Sequence, residues 1–350
     1  MSIAYVGCRT TRERNARGKG LKVYSIDDVT GDWRELQCLL TEENPSYQVM
    51  DNEEHYLYSV HGDFTMVSSY RIREDGTLEH LNTIDIGGEN PVFITVDKTN
   101  QYVIVATLQG GAVYVIRRKK DGTLGEIVTK TCLEGKEEGK ISFAHQCIWD
   151  QKKEYLFVVT QARLQGYGMV RVFRFNEKDG SLTTTDTYYS RTYDEPRHVS
   201  IHPNNRFVYL INEKGNKMTY LLFDDKTGKL TAKQNLPSLP ETYTEEGQAS
   251  ASVLDKEGKI LIGSNRIHES IVLYRIDQNT GYMKEIGYYP TLGLTPRFIS
   301  FNLDYSKFYV ANEDSDTIVE MKLDSETGSM NYTGRIIATE SPVCITFKEV

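Results

Sequence analysis

The residues of this 350-residue chain best suited to chemistry sit at matched places in a repeat. One set opens a short apolar strand, just after a proline or small residue: Ser46, Val92, His145, Arg197, Ser250, Arg297 and Val343. A second set lies just past the following strand: Arg9, Gly62, Leu108, Gln161, Glu213, Arg266 and Glu313. Asn212, Asn265 and Asn312 precede the last three of these. The ionisable members crowd into the later repeats as His145, Arg197, Glu213, Arg266, Arg297 and Glu313. Turning that many such groups toward one opening costs free energy unless they pair or work. His145 or Glu213 could take up a proton, while Arg197 and Arg266 could stabilise developing negative charge or bind a carboxylate or phosphate. The structural alternative is an Arg–Glu network that only ties neighbouring elements together.

These residues need a scaffold that brings distant strands to one place. A turn of the form Asp/Thr-Gly-x-Leu/Met/Trp recurs at Gly31, Gly76, Gly122, Gly180, Gly228, Gly281 and Gly328, roughly 45 to 60 residues apart. Such glycines suit the positive φ of tight hairpins, and apolar residues alternate on either side. A strand precedes each turn, as in Val113–Ile116, and two more precede that one, as in Asn90–Val96 and Tyr102–Val105. The chain opens on Ala4–Gly7, which matches a second strand, and ends on Ser341–Phe347, which matches a first strand. The pattern predicts an all-β, seven-bladed β-propeller in one domain spanning 1–350, closed by pairing the N- and C-terminal strands in one blade. Innermost strands line the channel of such a ring, so both sets should meet at one mouth.

Composition narrows the chemistry. With 41 Lys and Arg against 49 Asp and Glu, the net charge of −8 argues against a nucleic-acid or anionic-membrane surface but leaves room for a small anion beside clustered arginines. No apolar run reaches the roughly 20 residues that cross a bilayer, and the opening lacks a basic, then apolar leader, so the cytoplasm is the expected compartment. Five scattered cysteines without a CxxC pair suggest neither disulfides nor zinc. Phosphate-cradling glycine loops and a Gly-x-Ser-x-Gly elbow are absent, so no cofactor and no serine nucleophile are expected. The arginines would repel a divalent cation from any Asn–Glu cluster, so no metal is expected. Cys147, two residues from His145, shares its facing by simple alternation and reads as a core thiol. His55, His80 and His268 read as surface residues and His202 as structural, while His61 could reach the channel. Oligomeric state is not encoded in any pattern we recognise.

Several motifs together resemble a known family: Tyr5-Val6-Gly7, Pro196-Arg197-His198, Asn212-Glu213, Ser264-Asn265-Arg266 and Thr295-Pro296-Arg297. Along essentially its whole length the chain is similar to the seven-bladed lactonases, which include bacterial 6-phosphogluconolactonases and fungal carboxymuconate cyclases. The resemblance implies an active site of His145, Arg197, Glu213 and Arg266. Arg297, His198, Asn212, Asn265, Glu313 and Arg9 are the candidates for binding substrate. One departure is Phe143, where many members carry the first histidine of a His-x-His segment. The implied activity is hydrolysis of a small anionic sugar lactone, 6-phosphogluconolactone foremost. The alternatives are a cycloisomerase of a muconate-type dicarboxylate and a non-catalytic, protein-binding propeller.

Overall fold

The computed structural model describes every residue except Met1, Asp28 and Val350. Among the described residues, strands form seven four-stranded antiparallel sheets. Six sheets use four consecutive strands from axis to rim, as in the fourth blade: Phe143–Trp149, Tyr155–Gln161, Met169–Phe175 and Leu182–Tyr189. The first blade takes its innermost strand, Pro342–Glu349, from the chain's end and the other three, Ser2–Cys8, Leu21–Ile26 and Trp33–Leu39, from its start. Ala4 lies opposite Phe347 and Val6 opposite Ile345, which is the closure that the matching half-blades require. None of the helices among the described residues is long and apolar enough to cross a membrane.

Local chemistry explains the blades. The seven turn glycines all hold φ between 73° and 85°, a region that side chains disfavour. At Gly122 a Cβ would also meet the Tyr56 ring at 2.0 Å. Buried tyrosines on second strands latch one blade to the turn of the next: Tyr5 donates to Gly76 O at 3.0 Å, Tyr58 to Gly122 O at 3.1 Å and Tyr209 to Gly281 O at 2.9 Å. Each bond satisfies a hydroxyl that burial would otherwise strand. Alternating residues pack on opposite neighbours. Phe157 and Val159 meet Val208 and Leu210 of the fifth blade, while Leu156 and Val158 meet Ile104 and Val115 of the third. Both faces of the sheet are thus buried, which is why its inner strands read as unbroken apolar runs.

The innermost strands share a single defect. In each, the pairing register slips at the same place. Pro45 faces His61 and Tyr47 faces Val60, leaving Ser46 without a partner. Val92, His145, Arg197, Arg297 and Val343 are skipped in the same way, and Ser250 shares the wider gap of the sixth blade with Ala251. A bulge of this kind lifts one residue out of the alternation and re-aims it. In five blades the residue two before the bulged one, for example Glu195 at φ 50°, is left-handed. The carbonyls of Asn44, Asn90, Glu195, Thr295 and Ser341 accept the N–H of Gly62, Leu108, Glu213, Glu313 and Arg9 at 2.8–3.0 Å. Both matched sets are therefore clamped side by side. The bulge at His145 also corrects the expected facing of Cys147: its thiol turns into the cluster shared with the third blade, 3.6 Å from Ile104 O.

The closing strand buries Val343, Ile345 and Phe347. At about 1.5–3 kcal/mol per side chain, these alone rival the roughly 5–15 kcal/mol of net stability in a typical domain. Ending the chain at Glu340 should abolish the cooperative urea transition seen by tryptophan fluorescence. A truncated chain that unfolds with the full-length midpoint would refute closure as the source of stability.

Candidate active site

A cavity of about 180 Å³ opens at one end of the channel. The bulged residues Ser46, Val92, His145, Arg197, Arg297 and Val343 line it, joined by Arg9, Leu108, Glu213 and Arg266 from the ends of second strands. Ser250 braces the ring instead: its carbonyl accepts Arg197 Nη1 at 2.7 Å and its hydroxyl donates to Arg297 O at 3.0 Å. Tyr47, His198 and Phe298, each the residue after a bulge, border both this cavity and a second chamber along the channel. Arg14, at the end of a short 3-10 turn, and the loop residue Arg163 add to the wall. Both lie outside the repeated positions, so alignment of the repeats does not reveal them.

Glu213 is the electrostatic hub. Its carboxylate lies 3.2 Å from Arg266 Nη2 and 3.5 Å from Arg197 Nε, and accepts Gln161 Nε2 at 2.8 Å. Burial alone would raise its pKa, but Arg266, Arg197 and Gln161 outweigh that and hold it down at about 2. Arg297 pairs with Glu313, and Arg9 and Arg14 both pair with Asp63, with Arg9 at 3.1 Å. Glu313 thus positions Arg297 from behind, and its own pKa is lowered by Arg297 and Arg9 against the opposing effect of burial. Burial, then the neighbouring Arg266, makes Arg197 easier to deprotonate than an ordinary arginine.

The two histidines are held neutral. Burial first, then the charges of Arg197 and Arg163, push the pKa of His145 well below 6.5. Burial and Arg197 act likewise on His198, whose ring packs edge-on to His145 with centroids 5.2 Å apart. His198 Nε2 faces Arg197 Nη1 at 3.5 Å. Among the described residues, the buried Nδ1 of His145 has no hydrogen-bond partner, nor do the Nε atoms of Arg9, Arg197 and Arg266. Phe143, at the departure from His-x-His, carries the Arg163 guanidinium over its ring at 5.3 Å.

Other expected residues stand apart. Asn212 and Asn265 turn away from the cavity: Asn212 Nδ2 donates to Lys217 O at 3.2 Å and Thr219 Oγ1 at 3.0 Å, and Asn265 Nδ2 to Ser238 O at 2.7 Å. They fasten strand ends because an asparagine amide can replace the backbone donor lost there. Asn312 does the same through Thr291 O. His61 is turned inward, bonded to the carbonyls of Glu42 and Glu43 and to Ser68, so it does not reach the channel. His202 bonds Gly258 O, His55 and His80 are exposed, and His268 is half-buried beside Tyr243. No three His, Cys, Asp or Glu side chains among the described residues are grouped to hold a metal ion.

The depressed pKa of Glu213 has a definite sign. Its carboxylate contributes stability that is complete above about pH 4.5 and is lost as pH falls toward about 2. Glu213→Gln, which leaves two buried guanidiniums short of a counter-charge, should cost about 3 kcal/mol at pH 7. Urea titrations at several pH values should show that gap narrow by about 2 kcal/mol between pH 6 and pH 3. A gap that is constant with pH would contradict this assignment.

Comparison with known proteins agrees with the geometry. The family described as "Lactonase, 7-bladed beta-propeller" matches residues 3–347. The chain is 25% identical to the 6-phosphogluconolactonase of Bacillus subtilis over 351 residues, covering 99% of this chain and 98% of that one. It is 26% identical over 331 residues to the 6-phosphogluconolactonase of Formosa agariphila, covering 89% and 91%. The periplasmic gluconolactonase of Pseudomonas aeruginosa has the same fold, with a TM-score of 0.90 at 21% identity, covering 100% of this chain and 99% of that one. The chain belongs to the seven-bladed β-propeller lactonase family.

Proposed function

We propose that the protein is a lactonase that hydrolyses a phosphorylated sugar lactone, 6-phosphogluconolactone foremost, with its own side chains and no cofactor. One observation carries this reading. Among the described residues, six guanidiniums, Arg9, Arg14, Arg163, Arg197, Arg266 and Arg297, line the cavity against three carboxylates, Asp63, Glu213 and Glu313, in contact with them. In a chain of net charge −8, an excess of three positive charges around a neutral histidine suits an anionic substrate whose reaction develops further negative charge. The names of the Bacillus and Formosa relatives support the same substrate class.

Glu213 and His145 have different roles in this scheme. A carboxylate held at about 2 is a weak base, so Glu213 keeps Arg197 and Arg266 in place. His145 is uncharged, the form in which imidazole accepts a proton. Water attacks the lactone carbonyl carbon and passes a proton to His145, while the guanidiniums of Arg197 and Arg266 hold the oxyanion. Collapse breaks the bond to the ring oxygen, which takes the proton back from His145. The products are a hydroxyl and a carboxylic acid, which releases its remaining proton to solvent and becomes a carboxylate that the same arginines fit. All five cysteines are free thiols, which suits a reducing compartment and supports the cytoplasm as the site of action.

The test is turnover of 6-phosphogluconolactone by purified protein, corrected for spontaneous hydrolysis, beside muconates. Turnover of a muconate in place of the lactone would move the assignment to a cycloisomerase; turnover of neither would favour a protein-binding propeller. His145→Asn and Arg197→Ala should each lower kcat/KM by about 10²–10⁴-fold while retaining the folded circular-dichroism spectrum. In the wild type, kcat/KM should rise with pH through a midpoint below 6.5 and then level, because only neutral His145 accepts the proton. A midpoint above 7, or an active His145→Asn, would remove His145 from the mechanism.

A further inference from the structure

We infer that Arg163 is the residue that selects the substrate's remote phosphate, so that a loop outside the seven repeated positions separates phosphorylated lactones from neutral ones. This rests on the lactonase reading above and adds a residue that the repeats do not mark. Five of the six arginines around the cavity have a carboxylate partner, and Arg163, among the described residues, has none. Its contacts are neutral. Nε donates to Gln161 Oε1 at 3.0 Å, and the guanidinium carbon stands 5.3 Å from the centre of the Phe143 ring. Gln161 in turn donates to Glu213, so the guanidinium is tied to the hub without being neutralised by it.

An arginine already paired to a carboxylate must share its donors with an incoming anion, whereas an unpaired one offers its full charge and a planar fork of N–H groups. The backbone is built to present it. Arg163 and Leu164 are consecutive left-handed residues, at φ 42° and 70°, a costly arrangement for residues with side chains. Glu195, from the start of the fifth blade, offsets that cost by accepting the N–H of Ala162 at 2.8 Å and of Arg163 at 3.0 Å. A carboxylate spent on backbone amides, with the guanidinium left without a counter-charge, is the arrangement expected of a binding group held ready. Its charge reaches the reacting end as well, since it ranks after burial and Arg197 among the influences that keep His145 neutral. The ligand chemistry that fits is a phosphate monoester at the end of the sugar away from the carbonyl.

The test compares wild type, Arg163→Met and Arg163→Lys in two assays. Kinetics are measured separately for kcat and KM on 6-phosphogluconolactone and on glucono-δ-lactone. Calorimetry measures Kd for 6-phosphogluconate and for gluconate. For Arg163→Met, KM and Kd of the phosphorylated ligands should rise about tenfold to hundredfold, as expected when a charge-assisted bond is lost. The change in kcat should be much smaller, and the preference for phosphorylated over neutral substrate should fall at least about tenfold. Arg163→Lys should recover part of that preference. Equal losses on phosphorylated and neutral ligands, or a fall in kcat with KM unchanged, would overturn the assignment while leaving the lactonase reading intact. If the wild type opens no lactone, that reading falls, and calorimetry still decides: a wild type that binds 6-phosphogluconate no tighter than gluconate overturns the role of Arg163.

Discussion

Both faces of every blade are buried against neighbours, and that constraint decides how this propeller can build a site at all. A residue inside a strand ladder must point at one adjacent blade or the other. A residue lifted out of the ladder is released from that choice, and each innermost strand carries such a bulge at the same height. In five blades the neighbouring strand end is clamped to the residue two before the bulge, which sets the two matched positions side by side. Where those positions hold Ser46 and Gly62 they bring no charge; where they hold Arg197 and Glu213 they bring an ion pair. The chemistry of the mouth is thus a local choice of residue on a scaffold indifferent to it.

Charge burial then shapes the chemistry. The arginines are tolerated because Glu213, Glu313 and Asp63 neutralise part of their charge, yet an excess remains. Burial, then that excess, keeps His145 and His198 uncharged, while the arginines hold Glu213 ionised against its own burial. One field therefore sets two states at once: a neutral histidine and an ionised carboxylate beside its arginines. Residue type alone left either as the candidate base, and the proposed mechanism assigns that role to His145.

Much of this architecture is written plainly in the chain. Gly76, Gly122 and the other turn glycines mark the blades because few other residues adopt their φ. Pro196-Arg197 and its counterparts mark the innermost strands, and the half-blades at Ala4 and Pro342 announce the closure. Matching the strands by position found the bulged residues without showing that they bulge, because a register slip leaves no mark in residue type. For that reason simple alternation gave Cys147 the wrong face. Asn212 and Asn265 sit beside true cavity residues, yet a donor at a strand end serves the backbone equally well, and here it does. Arg14, Asp63 and Arg163 were illegible for a different reason. They lie between strands, where no repeat constrains position and only folding brings them to the mouth.

The most direct measurement is a crystal structure with 6-phosphogluconate bound. The account requires the ligand in the axial cavity, with its carboxylate against Arg197 and Arg266, His145 beside the carboxyl carbon, and its phosphate toward Arg163. Density for the ligand elsewhere on the molecule, or in the cavity but out of reach of His145, would contradict it.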